Sequence, residues 1–297
     1  MSAVIIDGKK IASEVKSELK IRIGSLKERN IIPQLAAVLV GENPASIQYV
    51  RMKTKACAKI GITSKTITLP NSISEKELLS VINDLNKDND IHGILVQLPL
   101  PPHINQLKVN MAVDWAKDVD GFHPANLGRL LLGKPNFIPA TPLGILELLN
   151  RSGNPPVGKH TVILGRGDLV GRPFSVLVSL KDKKANSTIT LCHSATPDIS
   201  VFTKQGDILI CAMGKPESIT GGMIKQGAVV IDAGTSAIDD PNSKKGYRIA
   251  GDVDFKSAVE VAGYITPVPG GVGPMTIAMV LANTVTAAEK LSGRYNG

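Results

Sequence analysis

The twelve residues VILGRGDLVGRP, Val162–Pro173, decide the fold of the second half of this chain, because an apolar run breaks into glycines where a helix should begin. Val162, Ile163 and Leu164 follow the turn-like NPPVGK of residues 154–159 and read as a buried parallel strand. Gly165, Gly167 and Gly171 then offer the tight turn, close backbone approach and helix packing that a pyrophosphate needs over a helix N-terminus. Three residues separate Gly167 from Gly171 where GxGxxG has two, so an ordinary strand-to-helix turn with packing glycines also fits.

The residues that follow favour the dinucleotide. Ser187–Cys192 reads as a second strand one helix later, completing a βαβ unit. At its end, where an NAD site places an Asp or Glu for the ribose 2′-hydroxyl, stand His193, Ser194, Ala195 and Thr196. Ser194, Thr196 and His193 are able to hydrogen-bond a 2′-phosphate, with Arg166 as its counter-charge, so the expected cofactor is NADP. A polar strand end leading into a capped helix before Asp198 is the plainer reading.

Working outward, strands alternate with helices. Gln34–Val40, Ser64–Leu69 and Ile91–Leu98 read as strands, with helices over Ile11–Arg29, Pro44–Ile60 and Glu75–Asn86. Asn43-Pro44 and Gly61 bracket the second helix as start and stop. Past a Pro/Gly-rich stretch at 134–144 and a helix at Ile145–Arg151, further strands are expected at Asp207–Ala212, Ala228–Ala233 and Ala262–Thr266. A final helix runs from Met275 to Leu291. The expected class is α/β with two αβα domains. Residues 1–143, with the C-terminal helix 275–297 returning to them, form the first, and residues 144–274 a second, Rossmann-type domain.

Composition narrows the partners. The 297 residues carry a net charge of +8, scattered along the chain, and only 3% aromatics, so neither a basic arm nor a stacking platform for nucleic acid is present. The charge reads mainly as solubility, with attraction of a polyanionic substrate as a secondary expectation. Cys57, Cys192 and Cys211 are odd in number and far apart, pointing to reduced thiols and a cytoplasmic protein. The five histidines make no metal-ligand spacing, so no metal is expected, and no apolar run approaches membrane-spanning length.

Chemistry is expected in the first domain. Tyr49 and Lys53 are four apart on one helix face, which would let the phenol reach the ammonium, and burial would lower the lysine pKa for proton transfer. The same spacing fits a solvated basic helix carrying Arg51, Lys53, Lys55 and Lys59. Gln97, between Val96 and Leu98, puts a polar group at the end of an apolar strand. Asp120 precedes a glycine turn, where a plain Asx turn is the alternative. Pro267–Thr276 (PVPGGVGPMT) is a rigid, side-chain-poor loop able to lie against a flat ring, or simply a connecting turn.

Taken in order, TyrValArgMetLys (49–53), ValGlnLeuProLeuPro (96–101), LysAspValAspGlyPhe (117–122), GlyArgGlyAspLeuValGlyArgPro (165–173) and ProGlyGlyValGlyProMetThr (269–276) resemble the methylenetetrahydrofolate dehydrogenase/methenyltetrahydrofolate cyclohydrolase family. The resemblance runs from Ile5 to the last helix. It implies catalysis by Lys53, Tyr49 and Gln97, and folate binding by these with Val96, Leu98, Asp120 and the loop Pro269, Gly270, Gly271, Val272 and Gly273. It likewise implies cofactor contacts from Gly165, Arg166, Gly167, Gly171, His193, Ser194 and Thr235. The implied substrates are tetrahydrofolate derivatives, polyglutamylated forms among them, and the implied assembly is a homodimer. Gly167 departs from the family pattern, which has Ser after GlyArg.

Overall fold

The computed structural model describes every residue except 1, 242, 244, 245 and 295–297. In chain order the first half holds β1 (Val4–Ile5), α1 (Gly8–Glu28), β2 (Gln34–Val40), α2 (Pro44–Ile60), β3 (Thr63–Leu69), α3 (Glu75–Lys87), β4 (Gly93–Val96), α4 (Gln106–Ala112) and α5 (Pro124–Leu131). There follow α6 (Ala140–Arg151), β5 (His160–Leu164), α7 (Gly171–Ser179), β6 (Thr188–Cys192), α8 (Ser200–Thr203), β7 (Ile208–Cys211), β8 (Val229–Asp232), β9 (Ser236–Asp239), β10 (Tyr247–Ala250), α9 (Phe255–Ala258), β11 (Tyr264–Ile265) and α10 (Val272–Arg294).

Two compact units result, Met1–Ala12 with Thr141–Thr276, and Ser13–Ala140 with Ile277–Gly297. The second unit is built on a parallel sheet in the order β3-β2-β4, extended by a bridge between Ile94 and Asp118. Its central strand β2 is buried at six of seven positions, because helices cover both faces of a parallel sheet and leave no solvent side. Ala36, Val38, Ile94, Leu78 and Ile82 form part of one apolar cluster there. Asn283 of α10 donates to Val119 O (2.8 Å) and Ile138 O (3.1 Å), so the C-terminal helix does pack into this unit as expected.

In the first unit six parallel strands run β1-β11-β8-β7-β5-β6. Chain order reverses between β5 and β7, since β6 continues on one side and β7 starts the other. That reversal opens a crevice beyond the strand ends, where α/β sheets collect nucleotides.

Several boundaries differ from the sequence reading. The first twelve residues belong to the six-stranded unit, because β1 pairs with β11 through Val4–Tyr264 and Ile5–Ile265. Two residues of strand carry no readable alternation. Helix α1 starts at Gly8, where Asp7 Oδ1 accepts from Lys9 N (2.9 Å) and Lys10 N (3.0 Å). Strand β4 is shorter than Ile91–Leu98, and α10 begins three residues before Met275. The short helices α4 and α5 and the ribbon β9–β10 were not read from sequence. The expected domain ends at residues 1 and 295–297 lie outside the described residues.

Candidate active site and cofactor loop

Helix α2 is capped as its sequence dictates: Asn43 accepts from Ser46 N (3.1 Å), Pro44 opens the first turn, and Gly61 closes it at φ +89°. Its buried residues are Ser46, Val50, Lys53, Cys57 and Ile60, a helical stripe on which Lys53 takes a core position. Arg51, Lys55 and Lys59 are exposed, so the solvated-helix alternative holds for them and fails for Lys53, only 6% exposed.

The ammonium is not left without a partner. Lys53 Nζ donates to Gln97 Oε1 (3.0 Å), and Gln97 Nε2 donates to Leu98 O (2.8 Å), which turns the amide oxygen toward the lysine. Gln97 N continues the strand ladder to Val38 O (2.9 Å), fixing the backbone from which that side chain leaves. Ser46, which the sequence did not single out, also donates to Leu98 O (3.2 Å), tying the start of α2 to the end of β4.

Burial lowers the pKa of Lys53, and the carboxylate of Asp120 partly offsets this. Gln97 presents an acceptor, so it orients the amine, while desolvation is what favours the neutral form. One sequence expectation needs correction here. Tyr49, half-buried one turn before Lys53, makes no hydrogen bond to it, and the ammonium donates to Gln97 Oε1 instead. Cys57, one turn after Lys53, has its thiol pushed up to about 12 by burial and stays protonated.

The turn at residues 118–123 separates two aspartates by role. Asp118, which the sequence reading passed over, is buried and accepts from Gly121 N (3.1 Å), Phe122 N (3.3 Å), His123 N (2.8 Å) and Asn126 Nδ2 (2.8 Å). It builds the Asx-type turn that was the alternative for Asp120. Asp120 is thereby left with no side-chain hydrogen bond among the described residues. Burial raises its pKa, and the Lys53 ammonium opposes that rise. Lys117 anchors the same segment, donating to Asn86 O (2.8 Å) and Asp88 O (2.7 Å) at the end of α3.

In the six-stranded unit the glycine loop behaves as three different residues. Gly165 has φ +103°, and a Cβ there would overlap Ala212 O, so the loop crosses the end of β7 backbone to backbone. A Cβ on Gly171 would overlap Gly165 O, which is the helix packing expected of the last glycine. Gly167 has open space around its missing Cβ and no left-handed φ, so its expected role in close approach is not required by the protein itself. The cradle at Gly165–Gly171 fits a pyrophosphate at the start of α7. Gly167→Ser is accordingly expected to fold normally and to bind NADP⁺ at least as tightly as the parent, whereas Gly171→Ala is expected to lose cofactor binding. Melting curves with and without NADPH check both.

At the end of β6, His193 N donates to Thr196 Oγ1 (3.0 Å) and Ala195 N to His193 Nδ1 (3.2 Å), a local turn that occupies part of the set expected to meet a 2′-phosphate. Ser194 and Arg166 are exposed, and among the described residues neither side chain makes a hydrogen bond. Thr235 is exposed just beyond β8. In the Pro267–Thr276 segment, Pro269 is exposed, Gly270, Gly271 and Val272 are buried, and Gly273 is half-buried. Gly271 N donates to Pro267 O (2.8 Å), and Gly8 leaves no room for a Cβ against Gly271 O. The N-terminal AspGlyLys thus packs on this loop.

Among the described residues no group of three or more His, Cys, Asp or Glu side chains is placed to hold a metal, and no helix is long and apolar enough to cross a membrane.

Residues 6–120 match the catalytic domain of tetrahydrofolate dehydrogenase/cyclohydrolase, and residues 139–292 match its NAD(P)-binding domain. The chain is 51% identical over 293 residues to the bifunctional protein FolD of Chlorobium chlorochromatii, covering 98% of this chain and 99% of that one. It is similar to the crystal structure of the bifunctional FolD dehydrogenase/cyclohydrolase from Campylobacter jejuni, at TM-score 0.91 and 44% identity over 97% of this chain and 99% of that one. It is similar also to the Trypanosoma brucei enzyme complexed with NADP cofactor and inhibitor, at TM-score 0.93 and 39% identity over 99% of each chain. Two domain matches, near-complete coverage and half the residues identical leave one assignment: the chain belongs to the tetrahydrofolate dehydrogenase/cyclohydrolase family.

Proposed function

We infer that this protein performs two reactions of one-carbon metabolism on one folate. It oxidises 5,10-methylenetetrahydrofolate to the 5,10-methenyl compound with NADP⁺, then hydrolyses that product to 10-formyltetrahydrofolate. The observation that carries the second step is the buried Lys53 ammonium held on the Gln97 amide oxygen.

In the oxidation, the bridging carbon loses a hydride and its positive charge spreads over N5 and N10. NADP⁺, when bound, supplies the hydride acceptor. No proton leaves the substrate for the protein, so the chain's task is to hold the donor carbon at near-attack distance. Asp120, whose carboxylate has no hydrogen bond among the described residues, takes the pterin amino and ring N–H donors in a bidentate contact. Val96 and Leu98 flank the substrate with Gln97, and family likeness supports Pro269–Gly273 as a further substrate-binding segment.

Hydrolysis is different in kind. Water adds to the methenyl carbon, one of its protons must be taken up, and the bond from that carbon to N5 breaks as N5 gains a proton. Lys53 accepts the first proton and delivers the second, and one proton is released overall. A lysine with lowered pKa exchanges protons nearer neutrality than an exposed one. Tyr49 contacts the substrate beside the amine.

Ser194 and Arg166 form the 2′-phosphate subsite, with Gly165, Gly167, Gly171, His193 and Thr235 along the rest of the cofactor. Losing a charge-assisted contact costs about 1.5–3 kcal/mol. Arg166→Ala is therefore expected to raise the KM for NADP⁺ by roughly one to two orders of magnitude while leaving that for NAD⁺ nearly unchanged. Steady-state kinetics with both cofactors check this, and equal efficiency with both in the parent would remove its basis.

The net charge of +8 supports polyglutamylated folates as substrates, the three free buried cysteines support a cytoplasmic setting, and family likeness supports a homodimer. One assay tests the whole reading: purified protein, methylenetetrahydrofolate and NADP⁺, with NADPH and methenyl absorbance followed together. NADPH should form in step with 10-formyltetrahydrofolate. Absence of NADPH formation would overturn it.

A further inference from the structure

Two buried carboxylates in the six-stranded unit have no part in the scheme above. Asp232 ends β8, and Asp252 lies two residues past β10; they are 3% and 0% exposed. Asp252 accepts three successive backbone N–H groups, from Met213 (2.5 Å), Gly214 (3.2 Å) and Lys215 (2.8 Å). Those three residues follow directly on Ala212, whose carbonyl is crossed by Gly165 of the cofactor loop. Asp232 accepts from Gly234 N (2.9 Å), Asp252 N (3.0 Å) and Val253 N (2.9 Å), while its own N–H goes to Thr266 Oγ1 (2.8 Å). One carboxylate therefore holds the backbone that carries the other.

Glycines make this possible. A Cβ on Gly234 would press on the Asp252 carboxylate, and one on Gly251 would overlap Asp232 Oδ2. The two chains approach so closely that only backbone fits between the carboxylates and their partners. Buried carboxylates satisfied wholly by backbone N–H groups fix loop geometry and do not add a reactive group.

Their position in the sheet says what is being fixed. The end of β6, with Ser194, faces the 2′-phosphate side of the dinucleotide, and the pyrophosphate lies at the β5–β7 crevice. The nicotinamide half then falls over the ends of β7 and β8, where the loops 213–215 and 233–235 begin. We propose that Asp252, seated by Asp232, is a positioning residue that sets these two loops against the nicotinamide half of NADP, and so governs hydride transfer without touching the cofactor. This rests on the cofactor reading given above.

The test compares Asp252→Asn with the parent on four readouts. An amide in that place sets an N–H₂ group against backbone N–H groups and loosens the loop. The KM for NADP⁺ should rise by about tenfold or more, and dehydrogenase kcat should fall, since small misplacement of a hydride acceptor is costly. Adenosine 2′,5′-bisphosphate, a probe of the β6 side alone, should bind as it does to the parent. Cyclohydrolase activity on methenyltetrahydrofolate, assayed without cofactor, should stay within about twofold. Gly234→Ala, which keeps both carboxylates but displaces one, should reproduce the pattern. An equal fall in both activities, no change in the NADP⁺ parameters, or failure of both variants to fold would overturn the positioning role. A parent that does not bind NADPH at all would instead overturn the cofactor reading.

Discussion

Lys53→Met is expected to abolish cyclohydrolase activity to within the uncatalysed background while leaving dehydrogenase activity at a reduced but measurable level. The substitution keeps an unbranched stem of similar volume on the buried stripe of α2, so the helix has no reason to unfold. What disappears is the amine, and with it the hydrogen bond to Gln97 Oε1. A positioned acid–base group contributes about 10²–10⁴ in rate, and only the hydrolytic step needs one. Separate steady-state assays, with methylenetetrahydrofolate plus NADP⁺ and with methenyltetrahydrofolate alone, give the two factors. In the parent, the limb of the cyclohydrolase pH profile that reports the amine should lie below the ordinary lysine range, because burial lowers that pKa. Neutral amine then accumulates, and water activation rises, at lower pH than a surface lysine would allow. The limb should vanish in Lys53→Met.

Asp120→Ala is expected to depress both activities together, by roughly 100-fold in kcat/KM, through the loss of two charge-assisted contacts to the pterin. Cofactor binding should persist, since Asp120 lies in the three-stranded unit and the glycine loop in the other. Fluorescence titration with NADPH checks this directly. A second effect separates Asp120 from a passive binding group. Its carboxylate opposes the fall in the Lys53 pKa, so its removal should move the amine limb of the residual cyclohydrolase profile further down. A fall in one activity alone would mean that the two steps do not share a pterin site.

Periodicity and capping made much of this molecule legible. Gln34–Val40 was readable as a strand because a central parallel strand is apolar throughout, and Pro44–Ile60 as a helix because Asn43, Pro44 and Gly61 mark its ends. The glycine loop was readable because Gly165 and Gly171 are imposed by backbone contacts. Elements held by tertiary contacts alone were not readable. β1 is two residues whose partner lies some 260 positions away, and α4 and α5 are too short to show a helical period.

The active site divides in the same way. Lys53 could be nominated by its spacing from Tyr49, but its burial depends on where α2 meets the sheet, which spacing does not reveal. Asp118, Asp232 and Asp252 escaped notice because nothing in the sequence distinguishes a carboxylate that binds three backbone N–H groups from one in an exposed turn. Ser46 escaped for the same reason, its partner being a carbonyl 52 residues away.

The central claim is that one protein runs both steps and that Lys53 serves only the second. Rapid mixing of Lys53→Met enzyme with NADP⁺ and methylenetetrahydrofolate tests it most directly. Absorbance of the methenyl compound should rise with NADPH formation and then decay only at the rate seen without enzyme. Decay at the parent rate would contradict the account and remove the Lys53 amine from the reaction.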